Sequence, residues 1–200
     1  MFNLTSEIMN NKYSGNVSDF QPVVEDASRV VISYGLKELG DGKAEWYEIP
    51  FYKKQGKPSF DAAKKAIIAD INAHTDEKIV NGFPWTILHG DHAGETVNVW
   101  LSEENQRNFS EAQRVAAMTD GANLPLQVKV SEGADGIPVY DSFETIQEIT
   151  NFYLAGVQFI NATLQAGWAE KDSIDWTPYE QALNPQPNQE SSKKASTRKK

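Results

Sequence analysis

The 200-residue sequence contains no cysteine. Neither a disulfide framework nor a thiolate metal site is therefore available, which excludes zinc-ribbon and thiol chemistry. No window approaches the roughly 18 consecutive apolar residues that a membrane span requires. The opening "MFNLTSEIMNNK" also lacks a basic segment followed by an apolar run, as an export signal would have. We therefore expect a globular protein that starts in the cytoplasm and has no membrane partner.

The sequence also lacks the short motifs that identify common enzymes. It has no G-x-S-x-G elbow, no phosphate-binding loop of the G-x-x-x-x-G-K type and no G-x-G-x-x-G, so nucleophilic hydrolysis and nucleotide chemistry have no anchor. Neighbouring acids such as Glu103 and Glu104 do occur. A glycosidase, however, needs two carboxyl groups facing each other across a cleft, which no spacing here indicates. We expect no enzyme and no cofactor, with a hydrolase kept as an alternative.

Basic residues are scarce outside one end of the chain. Residues 184–200 carry five basic residues and one acidic residue, a net charge of +4, which leaves −13 for the rest of the total of −9. An acidic body disfavours binding to a phosphate backbone, so nucleic acid is not an expected partner except through this basic tail. The tail has no hydrophobic residue larger than alanine, which predicts a disordered, solubilising segment, with a binding arm as the alternative.

Only three histidines are present, and two of them lie in the segment "HGDH". His89, Asp91 and His92 could form the corner of a metal site, because imidazole and carboxylate are common ligands. The flanking glycines instead favour an exposed polar hairpin tip. We therefore predict no bound metal and keep the three residues as candidates for contact with a partner or glycan.

The first part of the chain predicts a β-hairpin. Apolar residues alternate in "SRVVISYGLKEL" (28–39) and in "AEWYEIPFYKK" (44–54), and "GDG" between them suits a tight turn. Pro50 cannot donate to a sheet and favours an edge position or a bulge. Residues 28–58 are therefore predicted to form one β-hairpin. Residues 1–27 are polar and weakly periodic, and we predict only that they are extended or pair with a partner.

Residues 59–183 are predicted to form an α+β domain. Ser59 caps a helix that runs to about Lys78, hairpins follow over 83–101 and 124–143, and Ser102 caps a short helix between them. A long C-terminal amphipathic helix begins at Ser142 or Glu144. Its apolar stripe comprises Ile146, Ile149, Tyr153, Val157, Ile160, Leu164 and Trp168. The predicted fold is thus antiparallel hairpins alternating with three main helices. Gly156 within the stripe predicts a close approach by another element.

Five tryptophans could serve either the core or a sugar-binding face. Aromatic rings stack on sugars, and the indole N–H can donate to a hydroxyl group. Core packing is the competing interpretation, because Trp168 ends the helical stripe and Trp100 lies between a valine and a leucine on a strand. We keep Trp85 as a candidate glycan or partner contact.

Four segments together resemble a known family. They are "IVNGFPW" (79–85), "VNVWLSEENQRNF" (97–109), "GANLPLQVKV" (121–130) and "FYLAGVQFINATLQAGWAEKDSIDW" (152–176). In this order they resemble domain of unknown function 4376 of phage tail-associated proteins, over residues 60–180. The upstream "SYGLKEL" and "AEWYEIPFYKK" are similar to the amino-terminal part of gut-bacterial prophage proteins that carry this domain. The stretch "TILHGDHAGET" after Trp85 is longer than the family pattern.

The resemblance implies a non-enzymatic phage or prophage protein of the virion. It would be a tail or fibre accessory component, or an assembly factor, that binds other phage structural proteins of a fibre, tail or head appendage and can form a homo-oligomer. A carbohydrate-binding receptor module is the alternative. The family brings no catalytic residues. The candidate contacts are therefore those of the sequence itself, namely Trp85, His89, Asp91, His92, Asn105 and Gln106.

Overall fold

The computed structural model describes residues 11–184, so the predicted tail beyond Asn184 and the first ten residues lie outside the described part. The fold is α+β, as predicted. Its strands are β1 (Lys12–Asn16), β2 (Val23–Glu25), β3 (Arg29–Gly40), β4 (Lys43–Tyr52), β5 (Phe83–Thr86), β6 (Thr96–Val99), β7 (Leu126–Glu132) and β8 (Pro138–Phe143). Its α-helices are α1 (Phe60–Asn81), α2 (Glu103–Met118), α3 (Ile146–Asp172) and α4 (Thr177–Leu183).

The described residues fall into two compact units. The first, called the sheet unit here, comprises residues 11–70 and 170–184, and the second, called the hairpin unit, comprises residues 71–169. The chain leaves the sheet unit within α1 and returns to it within α3. None of the helices described over residues 11–184 is long and apolar enough to cross a membrane.

The sheet unit is built on a four-stranded antiparallel sheet in the order β1-β4-β3-β2. The predicted hairpin is its centre, with Gly42 and Asp41 at positive φ in the turn. The segment to which no firm structure was assigned supplies both outer strands, β1 and β2. Pro50 lies on β4, which is an inner strand. The register of β1 against β4 stops at Tyr47, so Pro50 lies beyond the stretch where an N–H toward β1 would be needed.

One face of this sheet carries the buried side chains Val30, Ile32 and Tyr34. Leu36 was predicted to continue this alternation, but it is 38% exposed. The reason is a register shift after Tyr34. Gly35 adopts a φ of +70° there, which changes the direction of the side chains that follow it on the strand. The hydroxyl of Tyr34 donates to Asp70 of α1 over 2.6 Å, and burial raises the pKa of that phenol.

Helix α4 was not predicted from the sequence. It is only seven residues long, with Pro178 in its first turn, and it carries too few apolar positions for a helical period to be visible. Its place is fixed by Tyr179, whose hydroxyl donates to the carbonyl of Ser33 over 2.7 Å. Burial raises the pKa of this phenol to about 12. The last helix is therefore tied to the central strand of the sheet.

The hairpin unit contains two antiparallel pairs, β5-β6 and β7-β8, as predicted. Its core is a cluster of aromatic and aliphatic side chains centred on Phe152 of α3. The Phe152 ring lies 4.9 Å from that of Phe109 and 5.0 Å from those of Trp85 and Phe143, measured between centroids. Aromatic contacts at these separations add to the burial term. Phe152 is thus the residue on which α2 and both hairpins converge.

The long helix α3 departs from its prediction at both ends. It begins at Ile146 rather than at Ser142 or Glu144, because Ser142 and Phe143 are the last residues of β8. Trp168 was predicted to end the buried stripe and is 55% exposed. The buried positions are Ile149, Phe152, Gly156 and Gly167. Trp168 directly follows the buried Gly167, so it lies about 100° further around the helix and points away from the core.

Candidate functional site

The loop between β5 and β6 is held against β8 by one carboxylate. Asp141 is fully buried, and it accepts hydrogen bonds from the Trp85 indole (2.8 Å) and from the backbone N–H groups of Leu88 and His89 (3.0 Å each). The backbone N–H of Ser142 is a fourth donor at 2.9 Å. Four donors compensate the desolvation of a buried carboxylate. Asp141 therefore fixes the base of the loop that contains "HGDH".

His89 faces the first turn of α3. Its Nε2 atom lies 3.2 Å from a carboxylate oxygen of Glu148, and its Nδ1 atom lies 3.9 Å from Glu144. The hydrogen bond to Glu148 raises the pKa of His89. The pKa of Glu148 is lowered, chiefly because its carboxylate accepts the backbone N–H of Glu144. In the same turn the Glu148 N–H donates to the hydroxyl of Thr145 over 3.2 Å, so His89 contacts a helix cap.

Asp91 and His92 lie at the exposed tip of the same loop. His92 contacts Glu95 over 3.1 Å, while His89 faces Glu148, so the two histidines have different partners. Within residues 11–184, no group of three or more histidine and carboxylate side chains is arranged to hold a metal ion. The loop is thus a polar tip on a rigid base.

Trp85 is half-buried and is used by the core. Its indole N–H already donates to Asp141, and its ring meets Phe152 edge to face with centroids 5.0 Å apart. A sugar would have to stack on the part of the ring that stays exposed. The prediction that Trp85 contacts a glycan or partner remains a prediction.

Asn105 and Gln106 lie at the junction between β6 and α2. Ser102 caps α2, because its hydroxyl accepts the backbone N–H of Asn105 over 3.3 Å. The Asn105 amide donates to the carbonyl of Trp100 over 3.0 Å, and the Gln106 amide donates to that of Leu101 over 2.7 Å. Both side chains therefore close the strand-to-helix junction through the last carbonyl groups before the helix. The prediction that Asn105 and Gln106 contact a partner remains a prediction.

The same junction presents the most exposed tryptophan among the described residues. Trp100 is 64% exposed, and Val80 at the end of α1 is 49% exposed. The two are neighbours, because the Leu101 N–H donates to the Val80 carbonyl over 3.1 Å. Asn98 also donates through its side chain to the carbonyl of Asn81. We call Val80, Asn98, Trp100 and Asn105 the Trp100 patch.

Gly82 makes the close approach beneath the Trp100 patch possible. It has a φ of +85°, and a Cβ atom on it would lie 1.7 Å from the carbonyl oxygen of Val99. Only glycine fits there, so the end of α1 and the end of β6 are pressed together backbone to backbone. The ends of α1 and β6 therefore meet directly at the patch, where Val80 and Trp100 are exposed.

Sequence reasoning missed three features of this region, and two of them left a signal. The exposure of Trp100 follows from the predicted alternation, since Val97, Val99 and Leu101 on the inner face place residue 100 on the other side. Val99 and Leu101 are indeed buried. The cap of α3 could have been found from the T-x-x-E pattern of Thr145 and Glu148. No local pattern indicates Asp141, because three of its four donors lie more than 50 positions away.

The fold and this site define a small α+β protein. Polar side chains at the loop and at the junction form hydrogen bonds with backbone groups, whereas the apolar side chains of the Trp100 patch are exposed. The family model described as "Domain of unknown function (DUF4376)" matches residues 62–186. The match spans more than half of the chain, and the chain belongs to this family. No curated protein and no solved structure matches it.

Proposed function

We propose that this chain is a non-enzymatic, virion-associated protein of a phage or prophage that acts by protein–protein binding. It serves as a tail or fibre accessory component or as its assembly factor, in the virion and, during assembly, in the host cytoplasm. The observation that carries the binding part of the proposal is the Trp100 patch. The phage setting rests on the resemblance of the four sequence segments to tail-associated proteins.

The patch has the composition of a binding hot spot. Tryptophan is enriched at such positions because one side chain buries a large apolar area at a small entropic cost. Trp100 is 64% exposed, Val80 at the adjoining end of α1 is 49% exposed, and the Asn105 amide donates to the backbone carbonyl of Trp100. Burying an aromatic side chain of this size gains about 1.5–3 kcal/mol. A complex in which a partner covers Trp100 is therefore stabilised by most of this free energy.

The groups that could do chemistry are engaged in structure, which favours binding over hydrolysis. Asp141 accepts four N–H groups, Glu148 holds the cap of α3, and Ser102 holds the cap of α2. A serine nucleophile needs an adjacent base. His89 contacts Glu148 and Glu144, and the Ser102 hydroxyl contacts Asn105, so His89 is not placed to activate this serine. The hydrolase alternative thus gains no support from the site.

The test is the protein composition of particles produced with Trp100→Ala. Mass spectrometry of purified particles should detect the wild-type chain and should show a large loss of the Trp100→Ala chain. Trp168→Ala is the matched control, because Trp168 is also exposed (55%) but lies elsewhere on the hairpin unit. Absence from particles, together with co-purification with an unassembled fibre, would identify the assembly factor. Absence from both would refute the proposal.

A glycan-binding module is the second candidate, favoured by the exposed ring of Trp100. Aromatic faces of this kind stack on sugar rings. A glycan array probed with the wild-type protein, Trp100→Ala and Trp85→Ala separates the two ideas. Binding lost only in Trp100→Ala would favour the receptor module over a protein partner.

A further inference from the structure

A pocket in the hairpin unit lies between helices α2 and α3, and its inner walls are mostly aromatic. It has a volume of about 140 Å³. Phe83, Leu101, Phe109 and Phe152 form its inner walls, and all four are buried. The Phe152 ring lies 4.9 Å from that of Phe109 and 5.8 Å from that of Phe83, measured between centroids. We call this space the aromatic pocket.

The rim of the aromatic pocket is formed by partly exposed side chains of the two helices, among them Gln106 of α2 and Val157 and Ile160 of α3. Beyond one end of the pocket, the Gln113 amide of α2 donates to the Thr150 hydroxyl of α3 over 3.4 Å and ties the helices together. Among the described residues ten line the pocket, and none of these ten is charged. An ionic group would therefore lose its hydration there without gaining a counter-charge.

The volume of the aromatic pocket matches one ring. An apolar cavity of about 150 Å³ with aliphatic and phenylalanine walls stays dry and is large enough to bind benzene. Gly156 contributes to this space, because it lines the pocket and has no side chain to fill it. Aromatic rings at separations of 4.5–7 Å attract one another edge to face or offset, so the three phenylalanine rings favour a further ring over an aliphatic group.

We propose that the aromatic pocket binds a free, neutral compound with one aromatic ring. The rim favours a free compound over a side chain of a protein partner. It lies on two α-helices, whose backbone groups are bonded within each helix, so it offers little to a peptide backbone. Gln106 donates its amide N–H to the Leu101 carbonyl over 2.7 Å, which leaves its amide oxygen to accept a hydroxyl group of the ligand.

This inference goes beyond the proposed function and uses no residue of the Trp100 patch. The aromatic pocket would bind its ligand in the isolated chain, whether or not the chain enters a particle. The two proposals can therefore fail separately.

The test is a titration of the full-length, 15N- and 13C-labelled protein with p-cresol, a neutral ring with one hydroxyl group. We expect saturable chemical-shift changes at Gly156, Val157 and Ile160, with a dissociation constant of the order of 1 mM or below. Nuclear Overhauser contacts should join the p-cresol methyl group to the methyl groups of Val157 and Ile160. The anion 4-methylbenzoate has the same ring and methyl group and should leave these signals unchanged.

Two variants test where p-cresol binds. Val157→Phe should fill the pocket and abolish binding. Leu154→Phe is its matched control, because Leu154 is 44% exposed on the same helix and does not line the pocket. Gly156→Ala should weaken binding several-fold. Its loss of binding would not reflect unfolding, since alanine is favoured over glycine in a helix and the added Cβ atom would meet the Phe83 ring at 3.4 Å, which the ring can accommodate by a small shift.

Four results would overturn the proposal. They are no saturable change at the pocket up to the solubility of p-cresol, equal binding of 4-methylbenzoate, and binding that Val157→Phe leaves intact. The fourth is tighter binding of N-acetyl-phenylalanine amide than of p-cresol, which would assign the pocket to a phenylalanine side chain of a protein partner.

Discussion

Asp141 shows how a buried charge can be a structural device. Its carboxylate accepts one indole and three backbone N–H groups, so it replaces backbone pairing for the loop between β5 and β6. Donors that lose a buried acceptor cost about 1–3 kcal/mol each. We expect Asp141→Ala to lower the free energy of unfolding by at least about 3 kcal/mol, measured by urea denaturation.

Asp141→Asn is the matched control for this prediction. It keeps the volume of the side chain and one acceptor oxygen, but it turns an N–H group toward donors that need an acceptor. The expected loss of stability is therefore intermediate. A wild-type free energy of unfolding in Asp141→Ala would contradict the role assigned to this residue.

Two buried glycines of α3 predict opposite results for the same substitution. A Cβ atom on Gly156 would lie 3.4 Å from the Phe83 ring, at the wall of a cavity of about 140 Å³, which is ordinary contact. A Cβ atom on Gly167 would lie 2.4 Å from the Thr75 hydroxyl oxygen. Alanine is favoured over glycine within a helix by about 1 kcal/mol. We expect Gly156→Ala to raise the free energy of unfolding by up to that amount.

Gly167→Ala should instead lower the free energy of unfolding, because overpacking costs about 1–3 kcal/mol. Thr75 cannot move away cheaply, since its hydroxyl donates to the Ile71 carbonyl over 2.7 Å. Adding Thr75→Ala to Gly167→Ala should recover stability relative to the sum of the two single changes. An additive double-mutant cycle measured by chemical denaturation would show that the two residues do not clash.

At the scale of elements, the sequence predicted what depends on local pattern. Alternation predicted β3 with β4, and Ser102 before the acids Glu103 and Glu104 predicted the start of α2. Features that depend on contacts between residues far apart in the sequence were not predictable, because no local sequence pattern indicates such contacts. The strands β1 and β2 are only five and three residues long, and they pair with β4 and β3. Trp168 had helical spacing, but nothing in the spacing says where the core ends.

The candidate site was predictable in part for the same reason. The sequence placed Asn105 and Gln106 next to a helix cap, and both donate to the carbonyl groups that precede α2. It could not reveal that His89 meets Glu148, which lies 59 positions away. The loop and the first turn of α3 are brought together only by the fold, through Asp141.

The contact between His89 and Glu148 predicts a pH-dependent stability. The raised pKa of His89 means that the folded state holds the proton more tightly, so this contribution is complete below its ordinary value near 6.5 and is lost as the pH rises through the folded value. The lowered pKa of Glu148 adds stability above about 4.5, which is lost as the pH falls. The pair should therefore stabilise most between these two values.

His89→Asn tests this dependence. The wild-type melting temperature should fall between pH 6 and pH 8 by more than that of the variant, in calorimetry at low salt. His92→Asn is the matched control, because His92 contacts Glu95 at the exposed loop tip and should leave the pH profile close to that of the wild type. Identical profiles for wild type and His89→Asn would exclude the linkage.

Across the whole molecule, the five tryptophans differ in how far their side chains are exposed. This difference makes the binding proposal testable. Trp46 is 7% exposed, meets Phe20 edge to face at 6.1 Å and donates through its indole to Glu48. Trp100 is 64% exposed. Truncating a buried tryptophan costs about 3–5 kcal/mol. An exposed side chain outside the core usually changes stability by no more than about 0.5 kcal/mol.

We therefore expect Trp46→Ala to lose much of the stability of the sheet unit and Trp100→Ala to unfold like the wild type, as followed by circular dichroism during guanidinium denaturation. The comparison separates binding from folding, because a tryptophan that matters to particles but not to stability must act on a partner. If Trp100→Ala lost as much stability as Trp46→Ala, its absence from particles would reflect unfolding, and the Trp100 patch would have to be assigned to the core of the hairpin unit.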